Sequence, residues 1–338
     1  MRITSKELAK LIGVSQSTIS RALNGSDQIS ERRKQEIMEL AKKHNFEFNE
    51  NARNLRTQTS NSIGLLMHTY FNSFMEDDFR ALQFSYIQTE LAKHDFDPIF
   101  LNDVTLTEDV DALDRVIKKR QLAGLVLFRR IENDDVIEYL KGLSIHLFSM
   151  TRCNEKMQFI PSVSFDNYRM GYLVGEHFTK RKFKRIAYIR NRNHQSGDIT
   201  TQGLMDALAE KDMRIREEDI YFTQFDFKSS YDTVVANLDR MRQYDAIFAY
   251  NDTMALGVIS ALQDNGISVP GQISVMGSHD IPMAQWFSPH LTTVRTFIDI
   301  HAKVASERIV SIIKDGFDPS PEKHYIVKPE LIIRQSCP

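Results

Sequence analysis

This sequence of 338 residues contains little cysteine, no long apolar run and almost no net charge. Its two cysteines, Cys153 and Cys337, are too few and too far apart for a disulfide framework or a zinc cluster. No apolar stretch approaches the roughly 18 residues of a membrane-spanning helix, and no cleavable signal precedes the first helical pattern. We therefore expect a protein of the reducing cytoplasm, neither secreted nor embedded in a membrane.

Sequence motifs for catalysis are also missing. Ten histidines and 45 acidic residues are present, but HExxH, CxxC, GxSxG and Walker-type phosphate-loop motifs are not. We therefore predict no catalytic residues, no bound metal and no cofactor. With 42% hydrophobic and 26% charged residues, the chain has the composition of a globular protein with about two domains.

The net charge of −2 hides an uneven distribution of charge along the chain. Residues 1–60 carry 11 basic and 7 acidic side chains, a net charge of +4. Residues 61–338 carry 32 basic and 38 acidic side chains, a net charge of −6. Chance scatter is one explanation, and a small module that meets a polyanion is the other. In the second case the acidic remainder repels DNA, which confines contact with DNA to the first sixty residues.

The first sixty residues contain the start and stop signals of three helices. The segment Thr4–Glu7 (TSKE) has the pattern of a capping box, and Gly13 ends the helix that follows. Ser15 is a natural N-cap for a second helix, and Ser30 for a third that continues through His44. Two short helices joined by a tight glycine-containing turn predict a helix-turn-helix unit.

The second helix of this unit has two unlike faces. Ile19, Ala22 and Leu23 form its apolar face at helical spacing. The polar residues of the opposite face are Gln16, Ser17, Ser20, Arg21 and Asn24. Side chains of these types read base edges or contact phosphates in the major groove. A solvated polar face is the alternative, but the preceding helix and turn favour DNA recognition.

The segment Ile3–Asn24 (ITSKELAKLIGVSQSTISRALN) resembles the N-terminal headpiece of the lactose/galactose repressor (LacI/GalR) family. The resemblance continues through Ala52–Arg56 (ARNLR), which matches a family hinge helix whose leucine wedges into the minor groove. Leu55 stands at the leucine position; a helix packing residue is the alternative, but the neighbouring Ala52, Arg53 and Arg56 favour the wedge. The positions that we expect to contact DNA are Thr4, Ser5, Gln16, Ser17, Thr18, Ser20, Arg21, Asn24, Ala52 and Leu55.

From residue 62 onward, short β-rich runs alternate with helical stretches, which predicts an α/β fold with parallel sheets. The alternation alone does not distinguish one sheet from two. The predicted strands are Ile63–Met67, Pro98–Leu101, Gly124–Phe128, Ile145–Ser149, Ile186–Ile189, Ala246–Ala249 and Ile273–Met276.

Several motifs of this region are similar to the same family, among them Val163–Asn167 (VSFDN), Ile247–Leu256 (IFAYNDTMAL) and Leu291–Arg295 (LTTVR). The resemblance implies a periplasmic-binding-protein-like body with two sheets and a ligand cleft between two subdomains. The expected division is a headpiece at 1–48, a hinge at 49–60 and a body at 61–338. Within the body we expect an N-subdomain at about 61–162 and 296–323 and a C-subdomain at about 163–295 and 324–338.

The resemblance also implies which residues meet a small-molecule effector. These are Phe71, Phe74, His194, Thr200, Phe227, Asn251, His279 and Asp280. Phe74 and Phe227 could instead belong to a core. Thr200 and His279 stand where the family usually has an arginine and an aspartate, so either the ligand is unusual or Asp280 substitutes for the aspartate. We expect a sugar or a modified sugar, neutral or acidic.

The function implied by the resemblance is that of an effector-controlled transcription regulator of the repressor type that binds a near-palindromic operator as a homodimer. Only three residues follow Gln335, too few for the heptad helix that makes some relatives tetrameric. Two alternatives remain open. One is a DNA-binding regulator whose cleft is vestigial or binds a partner protein, and the other is a sugar-active enzyme with an appended headpiece.

Overall fold

The computed structural model describes residues 3–23, 28–44, 46, 60–67, 78–192 and 195–338. Its compact units are Met1–Ser60, which contains the headpiece, and Asn61–Pro338, which we call the body. Among the described residues, no helix is both long and apolar enough to cross a membrane.

The headpiece contains the three predicted helices, α1 (Ser5–Ile12), α2 (Gln16–Leu23) and α3 (Glu31–Lys43). The predicted capping box is confirmed, since the Glu7 N–H donates to the Thr4 hydroxyl at 3.3 Å and the Thr4 N–H donates to Glu7 Oε2 at 2.7 Å. Gly13 ends α1 in the left-handed region at φ 71°, where a residue without Cβ is unstrained. The Thr18 N–H donates to the Ser15 hydroxyl at 3.1 Å, which confirms the second cap.

The prediction for the third cap is confirmed only in part. Ser30 occupies the N-cap position of α3, but its side chain makes no capping hydrogen bond. The helix ends at Lys43, and His44 is its C-cap residue. The three helices share an apolar core whose buried members are Leu8, Ala9, Ile19, Ala22, Ile37 and Ala41. Burial of one leucine or isoleucine side chain contributes about 1.5–3 kcal/mol to stability. Because the buried side chains come from all three helices, their packing holds α1 and α2 in a fixed orientation.

The body is built on two six-stranded sheets, as the family resemblance implied. The first sheet has the spatial order β11 (His324–Val327), β5 (Ser162–Phe165), β4 (His146–Ser149), β3 (Gly124–Leu127), β1 (Ser62–Leu66) and β2 (Asp97–Leu101). The second has the order β12 (Glu330–Ile332), β10 (Thr292–Arg295), β9 (Ser274–His279), β8 (Ala246–Ala249), β6 (Ile186–Arg190) and β7 (Ile220–Phe222). All described strand pairs are parallel except β10 with β12.

Helices pack on the faces of both sheets. Those of the first subdomain are α4 (Asp78–Ala92), α5 (Val110–Arg120), α6 (Asp134–Lys141) and α13 (Ile298–Asp315). Those of the second are α7 (Asn167–Lys180), α8 (Gln195–Ala209), α9 (Phe227–Ala236), α10 (Leu238–Met241), α11 (Asp252–Asp264) and α12 (Met283–Trp286). Single 3-10 turns span Val104–Thr107, Glu155–Met157 and Glu217–Asp219. Because both faces are covered, the central strands β3 (GLVL) and β8 (AIFA) are fully buried and apolar throughout, as their sequences indicated.

The expected subdomain limits were wrong at two places. We expected the second subdomain to begin at residue 163 and to resume at 324. Instead β5 and β11 pair with each other, Val163 opposite Tyr325, and Ser162 of β5 pairs with Ser149 of β4. Both strands therefore complete the first sheet. The chain changes subdomain after β5, after β10 and after β11.

Candidate DNA-reading helix and ligand cleft

The outer face of α2 carries the candidate DNA contacts. Gln16, Ser17 and Arg21 are exposed, and Ser20 is half-buried. Ile19 and Ala22, on the opposite face, are 1% and 0% exposed in the headpiece core. The core thus orients the helix so that a guanidinium and an amide, both suited to paired hydrogen bonds with bases, point into solvent.

Hydroxyl groups near the start of α2 bond to one another. The Ser15 hydroxyl lies 2.7 Å from that of Ser17 and 2.8 Å from that of Thr18, which is half-buried. Thr4 is exposed, with its hydroxyl bonded to Glu7 at 2.8 Å, and Ser5 is the first residue of α1. These contacts stabilise the first turns of α1 and α2. Thr4 and Thr18 therefore take part in helix capping and are also candidate DNA contacts.

Six of the predicted contact residues lie outside the part of the chain that the structure describes. They are Asn24, Ala52 and Leu55 for DNA and Phe71, Phe74 and His194 for the effector.

A cavity of about 750 Å³ opens between the two subdomains of the body. Its lining comes from segments that follow the carboxyl ends of strands: Phe128 after β3, Met150 after β4, and Tyr250 after β8. Ligands of open α/β sheets bind at this edge, outside the carboxyl ends of the strands. The volume is within the usual range for small-molecule sites.

Aromatic rings form part of the cavity wall and join the two subdomains. Phe79 of α4 stacks on His279 at the end of β9, with 4.0 Å between ring centroids and 29° between planes. Phe165 meets Phe79 edge to face at 5.6 Å, and Phe225 lies 5.7 Å from Tyr250. Flat faces of this kind suit the apolar faces of a sugar ring.

Two of the predicted effector residues line the cavity, Asn251 and His279. Asn251 is 4% exposed, and its Oδ1 accepts the Met254 N–H at 2.8 Å, which caps α11. His279 is 6% exposed and has φ 102°, a left-handed conformation that costs energy for a residue with Cβ. Both side chains therefore have fixed positions at the cavity wall.

Thr200 and Phe227 do not line the cavity in the described structure. Thr200 is fully buried where α8 crosses α7, and its neighbour Ile199 faces the cavity instead. Phe227 begins α9 with its ring 38% exposed and stacked on Tyr231 at 6.4 Å. In both cases helix packing decides the direction of the side chain, so neither side chain is part of the described cavity lining.

Asp280 is also directed away from the cavity. Its carboxylate is 2.6 Å from an Arg295 Nη and 2.7 Å from an Arg334 Nη, and 1% of the side chain is exposed. The neighbouring Asp252 accepts the Thr293 hydroxyl at 2.5 Å and the Ile281 N–H at 2.8 Å. Burial raises the pKa of Asp252 to about 8. Both acids hold the segment after β9 in place, and Asp280 is not among the described residues that line the cavity.

Four arginines line the cavity and were missed by sequence reasoning. Arg80 lies on α4, Arg129 and Arg130 follow β3, and Arg152 follows β4. Charged residues within three positions of the ends of the predicted strands Gly124–Phe128 and Ile145–Ser149 were the available signal, because such positions lie at the ligand edge of a parallel sheet.

A helix-turn-helix headpiece and a two-lobed body with a ligand-sized cleft define a class of DNA-binding regulators, and comparison with known proteins agrees. Residues 4–49 match the family model described as bacterial regulatory proteins, lacI family. Residues 176–337 match a model of the periplasmic binding protein-like domain. In these two segments the chain is similar to regulators of the LacI/GalR type, and it is a DNA-binding transcription regulator.

The similarity to individual relatives extends over the whole chain. The regulator MalR of Clostridium butyricum is 28% identical over 340 residues, which cover 98% of each chain. The structure of the lac repressor dimer bound to operator and the anti-inducer ONPF has a TM-score of 0.83 at 16% identity, covering 100% of this chain and 99% of that one. The complex of the regulator CelR with cellobiose has a TM-score of 0.71 at 21% identity, covering 99% and 100%.

Proposed function

We propose that this protein is a repressor whose affinity for a near-palindromic operator is controlled by a sugar or sugar derivative bound in the cavity of the body. The observation that carries the proposal is the cavity itself. It lies at the carboxyl ends of both sheets and takes lining residues from both subdomains. A ligand that binds there contacts both subdomains at once, so it favours one arrangement of them over others.

On the DNA side, Arg21 is the residue on which we place base recognition. Its side chain is exposed on α2, opposite the buried Ile19, and a guanidinium donates two parallel hydrogen bonds to guanine. Dimerisation would match two headpieces to two half-sites, which is why the proposed operator is near-palindromic. Ala52 and Leu55 complete the proposal as minor-groove contacts of the hinge.

Binding measurements on the full chain test the DNA-reading role. An operator is first selected from random duplexes, and affinity for it and for random DNA is measured by fluorescence anisotropy. Arg21→Ala should weaken operator binding by roughly 5- to 150-fold, the equivalent of about 1–3 kcal/mol, and random-DNA binding far less. Arg33→Ala is the matched control, because Arg33 pairs with Glu36 on α3. Equal losses on both DNAs would remove base reading from Arg21.

The effector role is tested by titrating sugars and sugar derivatives against the protein–operator complex. We expect at least one compound to bind saturably and to change operator affinity. Asn251→Ala should weaken the binding of that compound by about tenfold or more, since the buried side-chain amide of Asn251 is lost from the cavity wall. A complete absence of ligand-dependent change in operator affinity would favour a vestigial or protein-binding cleft instead.

A further inference from the structure

We propose that the effector carries an acidic group, a carboxylate or a phosphate, and that arginines of the first subdomain bind it. This inference rests on the proposed function, because it takes the cavity to be the effector site. It narrows the ligand from sugars in general to anionic sugar derivatives.

The first argument is the placement of the arginines. Arg129 and Arg130 follow β3, and Arg152 follows β4, the strand hydrogen-bonded to β3. Neighbouring strands lie about 4.8 Å apart, so these segments meet at one part of the cavity edge. Arg80 adds a fourth guanidinium from α4, at the same subdomain.

The second argument is the balance of charge. The described lining contains two carboxylates, Glu132 and Glu155, against four arginines, so its formal charge is +2 with histidine neutral. Glu132 pairs with Arg130 at 2.6 Å. Arg152 is exposed and has no ion pair with a described residue. The body as a whole has a net charge of −6, so the described part of the cavity lining is positive within an acidic body, and a positive lining attracts anions.

The third argument is that the two subdomains line the cavity with different chemical groups. The second subdomain contributes Asn251, Tyr250 and His279, whose groups suit hydroxyls and ring faces. The first contributes the guanidinium groups, whose paired N–H donors match the geometry of a carboxylate or phosphate. A ligand with hydroxyls at one end and an anion at the other satisfies both walls.

Calorimetric titration of the full chain with matched ligand pairs tests the inference. One arm compares D-galacturonate with D-galactose, and the other compares D-glucose 6-phosphate with D-glucose. We expect at least one acid to bind about tenfold or more tightly than its neutral counterpart. Its affinity should also fall as salt is raised, because a charge contact is screened. The arm that responds distinguishes a carboxylate from a phosphate.

Variants assign the contact to the arginines. Arg152→Gln and Arg129→Gln should each weaken the acid by about tenfold, while Arg115→Gln on the exposed face of α5 should leave its affinity unchanged. The inference is overturned if Arg152→Gln and Arg129→Gln both bind the acid as tightly as the native protein. It is also overturned if neither acid binds more tightly than its neutral counterpart. If a neutral sugar alone changes operator affinity, this inference fails and the proposed function stands. If no compound changes it, the proposed function fails as well.

Discussion

Asp280, the first residue after β9, has two possible roles, which a single substitution distinguishes. Family position suggested that this carboxylate contacts the effector, whereas in the structure it lies between two guanidinium groups. Its Oδ2 is 2.6 Å from Arg295 Nη2, and its Oδ1 is 2.7 Å from Arg334 Nη2. Asp280→Asn preserves the shape of the side chain and removes its charge. A structural role predicts a loss of stability, and a ligand-binding role predicts a loss of effector affinity.

The expected magnitude follows from the exposure of the three partners. Removal of one member of a buried ion pair costs about 3–5 kcal/mol, since the remaining charge stays desolvated. The side chain of Asp280 is 1% exposed and that of Arg334 14%, but that of Arg295 is 39% exposed, so water can solvate the latter. We therefore expect Asp280→Asn to lower the free energy of unfolding of the body by about 2–4 kcal/mol.

Urea unfolding of the full chain measures this loss. Trp286 is the one tryptophan of the sequence and belongs to the body, so its fluorescence follows the body and not the headpiece. Far-ultraviolet circular dichroism provides a second signal. Asp232→Asn is the control, because Asp232 pairs with Lys228 at side-chain exposures of 57% and 82%, and such pairs contribute less than about 1 kcal/mol. Unchanged stability of Asp280→Asn together with a loss of effector affinity would refute the structural role.

Two further predictions concern buried groups. Burial raises the pKa of Asp252 to about 8, above the unfolded value of about 3.9, so the stability contributed by the protonated carboxyl is full below about pH 4 and is lost as pH rises toward 8. The stability of the native protein should therefore fall relative to Asp252→Asn over that range in urea unfolding, and parallel curves would contradict this. Ile37 is fully buried in the headpiece, and Ile37→Ala should cost about 2–5 kcal/mol. Operator binding measured by anisotropy should be lost while calorimetric effector binding is unchanged, in contrast to Met38→Ala at a 47% exposed position.

Local signals account for what could be predicted from sequence. The capping box at Thr4, the left-handed stop at Gly13 and the cap at Ser15 depend on residues within three or four positions of one another. Buried strands are likewise marked by short apolar runs, and the seven predicted strands are all present to within a few residues at their ends. The two-sheet arrangement required the family resemblance, because alternation of strands and helices is the same for one sheet or two.

Contacts between distant segments account for what could not be predicted. The pairing of β5 with β11 joins residues about 160 positions apart, and no local pattern specifies that register. Family position located the backbone of Thr200 and Phe227 near the cleft, but the packing of α8 and α9 decides where those side chains point. The cavity arginines were overlooked because they match no family motif, although the positions of Arg129, Arg130 and Arg152 within three residues of a strand end were visible in the sequence.

The cavity residues of the two subdomains differ in how firmly they are held in place, as well as in charge. On the second subdomain, Asn251 caps α11, and the next residue, Asp252, binds the Ile281 N–H and the Thr293 hydroxyl. These buried bonds hold His279 in a left-handed conformation against Phe79. Such a wall is preorganised, so it discriminates by shape and hydrogen bonding at little ordering cost. The long arginines of the opposite wall lose rotamer freedom when they bind an anion. Under the proposed function, an anionic ligand would order them against the fixed wall, and this differential binding is what would shift the subdomains between arrangements.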